Sequence, residues 1–426
     1  MGTRENTYLL YEYSKKLAYT VKIRVDLDAK VDQNILNKAA QEAISRFPYY
    51  HIKVVIENGG YAFVPNENPI AVLPEQDKRL VLGSDEVGKN LFAITYKDNS
   101  VWFCFSHTLC GGYGALFWIK TTLYQYMCAL YGELEPPKDL KAVGDKPGTE
   151  ELSAPDPDSL PTDEPIKRYT GGDSNVGSIE YLQYFFNPFA KDNYVYDIDI
   201  PYERFINYCR SIDASPNTAI AAITYKALAK FYRKLEKEDD FIGCRIADDY
   251  RGDISSNASY RDYVRFIHVR YDWKEKDSTI ARLSMIARGA IIFQMQPELS
   301  YEQYRKVCKV HEGIDAQPTL KEKIKYSRKN GLYRSDPRDS YTISYVGQVD
   351  WGGMAEHIMN MYTHSDGHNM LEVNVLKDKF CISFQLLNKD EMPVKLFCDV
   401  LKDENIPFEC SGRLTRHLPE IELPVK

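Results

Sequence analysis

The apolar run Val101-Trp-Phe-Cys-Phe105 leaves this chain few choices, because consecutive β-branched and aromatic residues read as a strand buried on both faces. The strand ends at Ser106-His107, Gly111-Gly112 follow, and Ala115 to Tyr131 then carries apolar residues at helical spacing. A buried strand that turns at once into a buried helix belongs to a sheet covered by helices. The turn also holds one imidazole, His107, fixed by the scaffold on either side. Histidine titrates near neutral pH, which suits a general base.

Other segments repeat the alternation of strand and helix. Tyr19 to Leu27 alternates apolar and polar residues, as a half-buried strand does, and Asp32 to Phe47 is an amphipathic helix, apolar at Ile35, Leu36, Ala39, Ala40, Ala43 and Ile44. Tyr49–Ile56 and Gly60–Val64 make a hairpin around an Asn58-Gly59 turn signal, and Leu91–Tyr96 with Ser100–Ser106 makes another. From Glu135 to about Asn175 the chain is rich in Pro, Asp, Glu, Gly and Ser, so an exposed linker is expected there. Strands resume at Tyr181–Phe186 and Tyr194–Ile200. Ser215 is the expected N-cap, and Pro216 the first-turn residue, of a helix running to Tyr232. A chain of 426 residues exceeds one ordinary domain. The expected division is an N-terminal half over residues 1–150, a linker over 151–176 and a C-terminal half over 177–426.

The strand, His107, the glycine pair and the helix together resemble the CoA-dependent acyltransferase superfamily. That group includes chloramphenicol acetyltransferase, the BAHD acyltransferases, condensation domains and alcohol acetyltransferases, and it carries His-x-x-x-Asp-Gly in this setting. His107 stands at the His and Gly112 at the Gly, while Gly111 replaces the Asp. Arg210 to Tyr232 is similar to the family's buried C-terminal-half helix. Phe241 to Arg251 is similar to its strand ending in an arginine-bearing loop, with Arg251 at the arginine that the Asp would face. Tyr341 to Gly353 is similar to the late strand, with Ser344 retained and Tyr345 in place of Asn. The likeness is closest to the bacterial alcohol-acetyltransferase-like branch.

The resemblance implies an α/β (α+β) fold of two chloramphenicol-acetyltransferase-like halves, each a mixed sheet with helices, and an active-site tunnel between them. It implies acyl-CoA as co-substrate, no permanently bound cofactor, and a hydroxyl or amine acceptor deprotonated by His107. Ser344 or a nearby main-chain amide would serve the oxyanion. Gly111 leaves two readings open: a working transferase, or a degenerate homologue that binds an acyl ligand or a protein partner without turnover. A turn that holds Asp in relatives is expected to accept Gly111→Asp here. Arg251 is expected to pair with Asp248 or Asp249 instead.

The remaining features exclude other classes. Charged residues are 27% with a net charge of −7 and no long basic run, so there is no electrostatic footprint for nucleic acid. Nine scattered cysteines show neither Cys-x-x-Cys nor zinc spacing and read as reduced thiols, and no metal is expected. His364-Ser-Asp366-Gly-His368 reads as a surface loop rather than a metal cluster, and Asp248-Asp249 as part of an ion-pair cluster with neighbouring arginines. No window reaches the length of a membrane span and no apolar signal core opens the chain, so a cytoplasmic location and small-molecule partners are expected, compatible with a monomer. The 32 tyrosines serve core filling with hydroxyls at wet edges, or line an aromatic tunnel.

Overall fold

The computed structural model describes residues 6–13, 18–166, 190–232, 240–331, 339–365 and 370–421. In chain order, β1 (Thr20–Leu27) leads to α1 (Gln33–Ser45), β2 (Ile52–Glu57), β3 (Gly60–Pro65), β4 (Ala71–Pro74), β5 (Phe92–Lys97), β6 (Ser100–Ser106) and α2 (Gly112–Tyr131). After a short α3 (Thr149–Leu152) come β7 (Asp192–Pro201), α4 (Tyr202–Ser211), α5 (Pro216–Phe231), β8 (Phe241–Asp249), β9 (Val264–Asp272), α6 (Ile280–Gln294), α7 (Pro297–Asp315) and α8 (Leu320–Asn330). The last stretch holds β10 (Tyr341–Gln348), β11 (Ile358–Ser365), β12 (Met370–Val375), β13 (Lys379–Leu386), α9 (Met392–Asp403), β14 (Glu409–Cys410) and β15 (Leu414–His417). The expected strand at Tyr181–Phe186 lies outside the described residues.

Local chemistry explains the boundaries. Asp32 caps α1, accepting from the amides of Asn34 and Ile35 at 2.8 and 3.1 Å, and Ser215 caps α5 through the Thr218 amide at 3.3 Å. Each satisfies amides that the helix itself cannot. Between β2 and β3, Asn58 and Gly59 both take positive φ, which matches the strand twist in a two-residue hairpin. The sequence places the start of the helix after His107 at Ala115; in the structure α2 begins at Gly112, where Gly111 is the N-cap and its carbonyl accepts from the Ala115 amide at 3.1 Å.

Two sheets organise the molecule. The smaller has the order β11-β1-β6-β5-β4. The larger has the order β14-β7-β13-β12-β10-β8-β9, with β15 also on β7. β10 runs parallel to β8 and β12 while the other neighbours in that sheet are antiparallel, so the sheet is mixed. β11 comes late in the chain yet pairs with β1, from Val21 opposite Ser365 to Leu27 opposite Ile358. The α2 face of the smaller sheet is a packed core, with Trp118 edge-on to Phe92 and Phe103 at ring-centre distances of 4.8 and 5.4 Å. In the larger sheet, Ile343, Leu371, Val373 and Ile382 join α5 and α9 in a second core. Side chains alternate across a strand, so Thr342, Ser344, Met370 and Glu372 point to the other face, where a cavity lies.

The expected linker is mostly exposed over its described part, residues 151–166, but it is strapped to the body. Glu151 is buried against Arg46, with a closest approach of 2.7 Å. Arg305 donates to the carbonyls of Leu160 and Pro161, both at 2.6 Å, and Tyr304 to that of Pro155 at 2.8 Å. Backbone carbonyls without local secondary structure are thus satisfied by long side chains from elsewhere.

Candidate active site

His107 sits one residue past the end of β6. Its amide donates to the Tyr19 carbonyl at 2.9 Å, which ties the turn to the start of β1. Below it, Ser106 Oγ lies 2.8 Å from both Tyr13 Oη and Thr108 Oγ1, a buried hydroxyl cluster that fixes the turn. The imidazole is a quarter exposed and lines the cavity, while its Nδ1 points the other way, 3.6 Å from Asp262 Oδ2. Asp262 is 1% exposed. With Nδ1 buried against a carboxylate, the edge that carries Nε2 is the one left to face the cavity.

Asp262 comes from the loop between β8 and β9, and that loop is built on Arg251. The guanidinium takes the Asp249 carboxylate through Nε at 2.8 and 2.9 Å, and donates to the carbonyls of Ser259 at 2.6 Å and Arg261 at 3.2 Å. It also stacks on Tyr113 of α2, 4.0 Å from the ring centre. Burial pushes the Asp249 carboxyl upward and the Arg251 charge opposes that shift. Asp262 itself accepts from the Val264 amide at 3.2 Å. The loop lies so close to α2 that a Cβ on Gly114 would run into the Tyr260 carbonyl, so only glycine fits there.

Gly111 is the N-cap of α2 in ordinary extended geometry, with φ −81° and ψ −178°. A Cβ built there would stand 2.7 Å from Asp262 Oδ1 and 3.2 Å from its Cγ. The space that a side chain at 111 would enter is therefore filled by the Asp262 carboxylate. This corrects the expectation that Gly111→Asp is harmless: the backbone would allow it, but the volume is taken and a second carboxylate would meet the first.

The cavity has a volume of about 130 Å³. His107, Gly112 and Ser344 all line it, with apolar walls from Val21, Phe105, Leu116, Phe266 and Met361. Arg245 also lines it, donating through Nε to Thr342 Oγ1 at 3.3 Å and lying 3.9 Å over the Phe266 ring. Arg251 and Gly111 do not line it; they act from behind His107. Ser344 hydrogen-bonds to Glu372, a buried carboxyl that Ser365 Oγ also meets at 2.7 Å. Burial raises the Glu372 carboxyl to about 7, the two serines and His107 pulling the other way.

Asp262, Glu372 and Arg245 are site residues that the sequence reading did not single out as such. Of the ion pairs expected with Arg245 and Arg251, Asp249 makes the one to Arg251 at 2.8 Å, whereas Asp248 pairs with Arg265, also at 2.8 Å, and Arg245 donates to Thr342. His364, expected in a surface loop, is instead buried in β11, 3.6 Å from Asp197, while residues 366–369 lie outside the described residues. Among the described residues no group of three or more His, Cys, Asp or Glu side chains is arranged to hold a metal ion, and no helix is long and apolar enough to cross a membrane.

No family model matches the chain, and no curated protein matches it in sequence. Solved structures do match in fold. TRI101 of F. graminearum with coenzyme A and deoxynivalenol superposes with a TM-score of 0.60 at 10% identity, over 96% of this chain and 99% of that one. Polyketide synthase associated protein 5 from Mycobacterium tuberculosis gives 0.58 at 10% identity, over 94% and 96%. The first condensation domain of the CDA synthetase gives 0.56 at 11% identity, over 95% and 94%. The fold is thus the one shared by CoA-dependent acyltransferases and condensation domains, along nearly the whole chain.

Proposed function

We propose that this protein is an acyltransferase that moves an acyl group from a CoA thioester to an amine or hydroxyl acceptor, with His107 as general base and Asp262 orienting it. The observation that carries the reading is the Asp262 carboxylate, 3.6 Å from His107 Nδ1 and in the volume that a side chain at position 111 would claim. The replacement of Asp by Gly111 is matched by a carboxylate supplied from the other sheet. A carboxylate placed against the imidazole supports the transferase reading over a degenerate binder.

In this reading Asp262 keeps the proton of a neutral His107 on Nδ1 and leaves Nε2 as the acceptor of the substrate proton. The acceptor atom loses its proton to Nε2 and bonds to the thioester carbonyl carbon. The carbonyl oxygen becomes an oxyanion. Collapse breaks the carbon–sulfur bond, and the departing thiolate takes the proton back from the imidazolium. No acyl-enzyme forms, because donor and acceptor meet in one cavity.

Ser344 or a nearby main-chain amide is the oxyanion donor expected from the sequence, and Ser344 lines the cavity with His107. Thr342, in the same lining, is a second candidate. Its oxygen accepts from Arg245 Nε at 3.3 Å, which polarises the hydroxyl and leaves its hydrogen for the oxyanion. We further propose the division into halves over 1–150 and 177–426 joined by a linker over 151–176, with β11 from the second half pairing with β1 of the first. The test is acyl-CoA consumption with a panel of amines and alcohols. Turnover that His107→Ala abolishes supports the reading, and turnover unchanged in that variant refutes it.

A further inference from the structure

The cavity holds a second ionisable group that the transfer step above does not use. Glu372 lies on β12 next to Ser344 of β10, on the strand face opposite the Leu371 and Val373 core residues. Its polar partners are two hydroxyls, Ser365 and Ser344, and the charged group acting on it is His107. An ionised carboxyl offers about four lone-pair positions, so two hydroxyl donors leave acceptor capacity directed at the cavity. The walls around it are chiefly apolar. Burial holds the carboxyl toward its neutral form, against the pull of the two serines and His107. A cation entering the cavity would change that balance, and an uncharged alcohol would not.

We propose that Glu372 determines the acceptor class: its carboxylate receives the ammonium of a primary amine whose apolar body fills the cavity wall. This deepens the acyl-transfer reading and rests on it for the fate of the amine. The ammonium gives its first proton to Glu372 and becomes a neutral nucleophile. The nitrogen then bonds to the thioester carbonyl carbon and loses a second proton to His107 Nε2. The carbon–sulfur bond breaks, His107 returns its proton to the thiolate, and Glu372 releases its proton to solvent as the amide leaves. One thioester and one ammonium thus yield one amide, one thiol and one proton.

The charged and titratable groups around Glu372 set the controls. His107 and Arg245 share its cavity, and Asp197 stands beyond Ser383 in the same row of the sheet, held by Arg24 and His364. Arginine stays charged throughout, and the His107→Ala background removes the imidazole from the cavity, so a proton released there on amine binding is assigned to Glu372.

Titration calorimetry of the whole protein with matched pairs of probes, 2-phenylethylamine against 2-phenylethanol and hexylamine against 1-hexanol, tests the assignment. At pH 7.5 at least one amine should bind about tenfold or more tighter than its alcohol. Glu372→Gln should erase that preference, and His107→Ala should keep it. At pH 6, in buffers of different ionisation heat, amine binding to His107→Ala should release a proton, and this arm decides the matter if Glu372→Gln does not fold. Equal binding of amines and alcohols, absence of amine binding, a preference that survives Glu372→Gln, or no proton release would overturn the proposal. Acyl-CoA consumption is measured separately. An amine preference without consumption would sink the transfer reading and leave Glu372 as an amine-binding group; consumption with alcohols and amines alike would sink the Glu372 assignment and leave the transfer reading.

Discussion

Asp262→Asn isolates the feature on which the mechanism turns. The substitution keeps shape and hydrogen-bonding capacity but removes the charge 3.6 Å from His107 Nδ1. Two unit charges at that separation attract by about 4–5 kcal/mol at an effective dielectric constant near 20. His107 is a quarter exposed, and solvent screening roughly halves the figure, leaving about 2–3 kcal/mol for the imidazolium that forms as the acceptor loses its proton. That corresponds to a fall in kcat of roughly 30- to 150-fold, with KM for acyl-CoA little changed because Asp262 does not line the cavity. Steady-state thiol release reads both parameters, and circular dichroism checks the fold. A folded Asp262→Asn protein with wild-type kcat would refute the role given to this carboxylate. A fall confined to KM would move Asp262 from orienting the base to shaping the binding site.

Four further outcomes follow from the same contacts. His107→Ala should lower turnover by about 10²–10⁴-fold with the fold intact, read in the same thiol-release assay. Gly111→Asp should lower the melting temperature by an amount corresponding to several kcal/mol, since its Cβ would meet Asp262 Oδ1 at 2.7 Å, whereas adding Asp262→Ala to it should recover both stability and part of the activity; a fully stable single variant would contradict this. Arg251→Ala should cost about 2–4 kcal/mol in denaturant unfolding, because the carbonyls of Ser259 and Arg261 lose their donor, and kcat should fall with it as the Asp262 loop loosens. Glu372, raised from 4.5 to about 7, binds more proton in the folded than in the unfolded protein between those values, so its contribution to stability is complete below about pH 4.5 and is lost as pH rises to about 7. Glu372→Gln should remove roughly 3 kcal/mol of that decline, and unchanged pH-dependence of unfolding would count against the burial assigned to it.

What could be read from the sequence was what neighbouring residues decide. The strand and helix around His107, the Ser215 cap and the Asn58-Gly59 turn are set by residues within a few positions of one another. The Arg251–Asp249 pair is also local, at a separation of two residues. Asp262 is different. Its meaning comes from a contact with His107 that spans the two sheets, and Arg261-Asp262-Tyr263 carries no pattern that marks it. Its only sequence clue was indirect: a motif carboxylate missing at 111 and an arginine-bearing loop with acidic residues near by. Glu372 was hidden for another reason. In Leu371-Glu-Val-Asn-Val375 the alternation reads as a strand with one face in water, and the chain by itself does not show that β11 and the smaller sheet cover that face. The same covering explains His364, whose setting beside Ser, Asp and Gly reads as a loop until the pairing of β11 with β1 is seen.

The relocated carboxylate also bears on whether the departure at Gly111 is decay or redesign. In simple decay, removing a side chain from a turn leaves a gap, a stranded arginine, or both, because nothing selects a replacement. Here Asp262 fills the gap to contact distance, Arg251 has its own carboxylate in Asp249, and the absence of a Cβ at Gly111 is what makes room for Asp262. The open space at Gly111 and the Asp262 carboxylate fit each other, and such mutual consistency is a mark of a specified arrangement. It also changes what the site depends on. In the His-x-x-x-Asp-Gly pattern the base and the carboxylate belong to one turn and move together. In this chain His107 follows β6 and Asp262 precedes β9, so the geometry of the pair depends on how the two sheets dock. The Arg251 stack on Tyr113 and the glycine-permitted approach of Tyr260 to Gly114 are the contacts that fix that docking. On the proposed mechanism, residues that never touch a substrate control the proton transfer through the distance between Asp262 and His107.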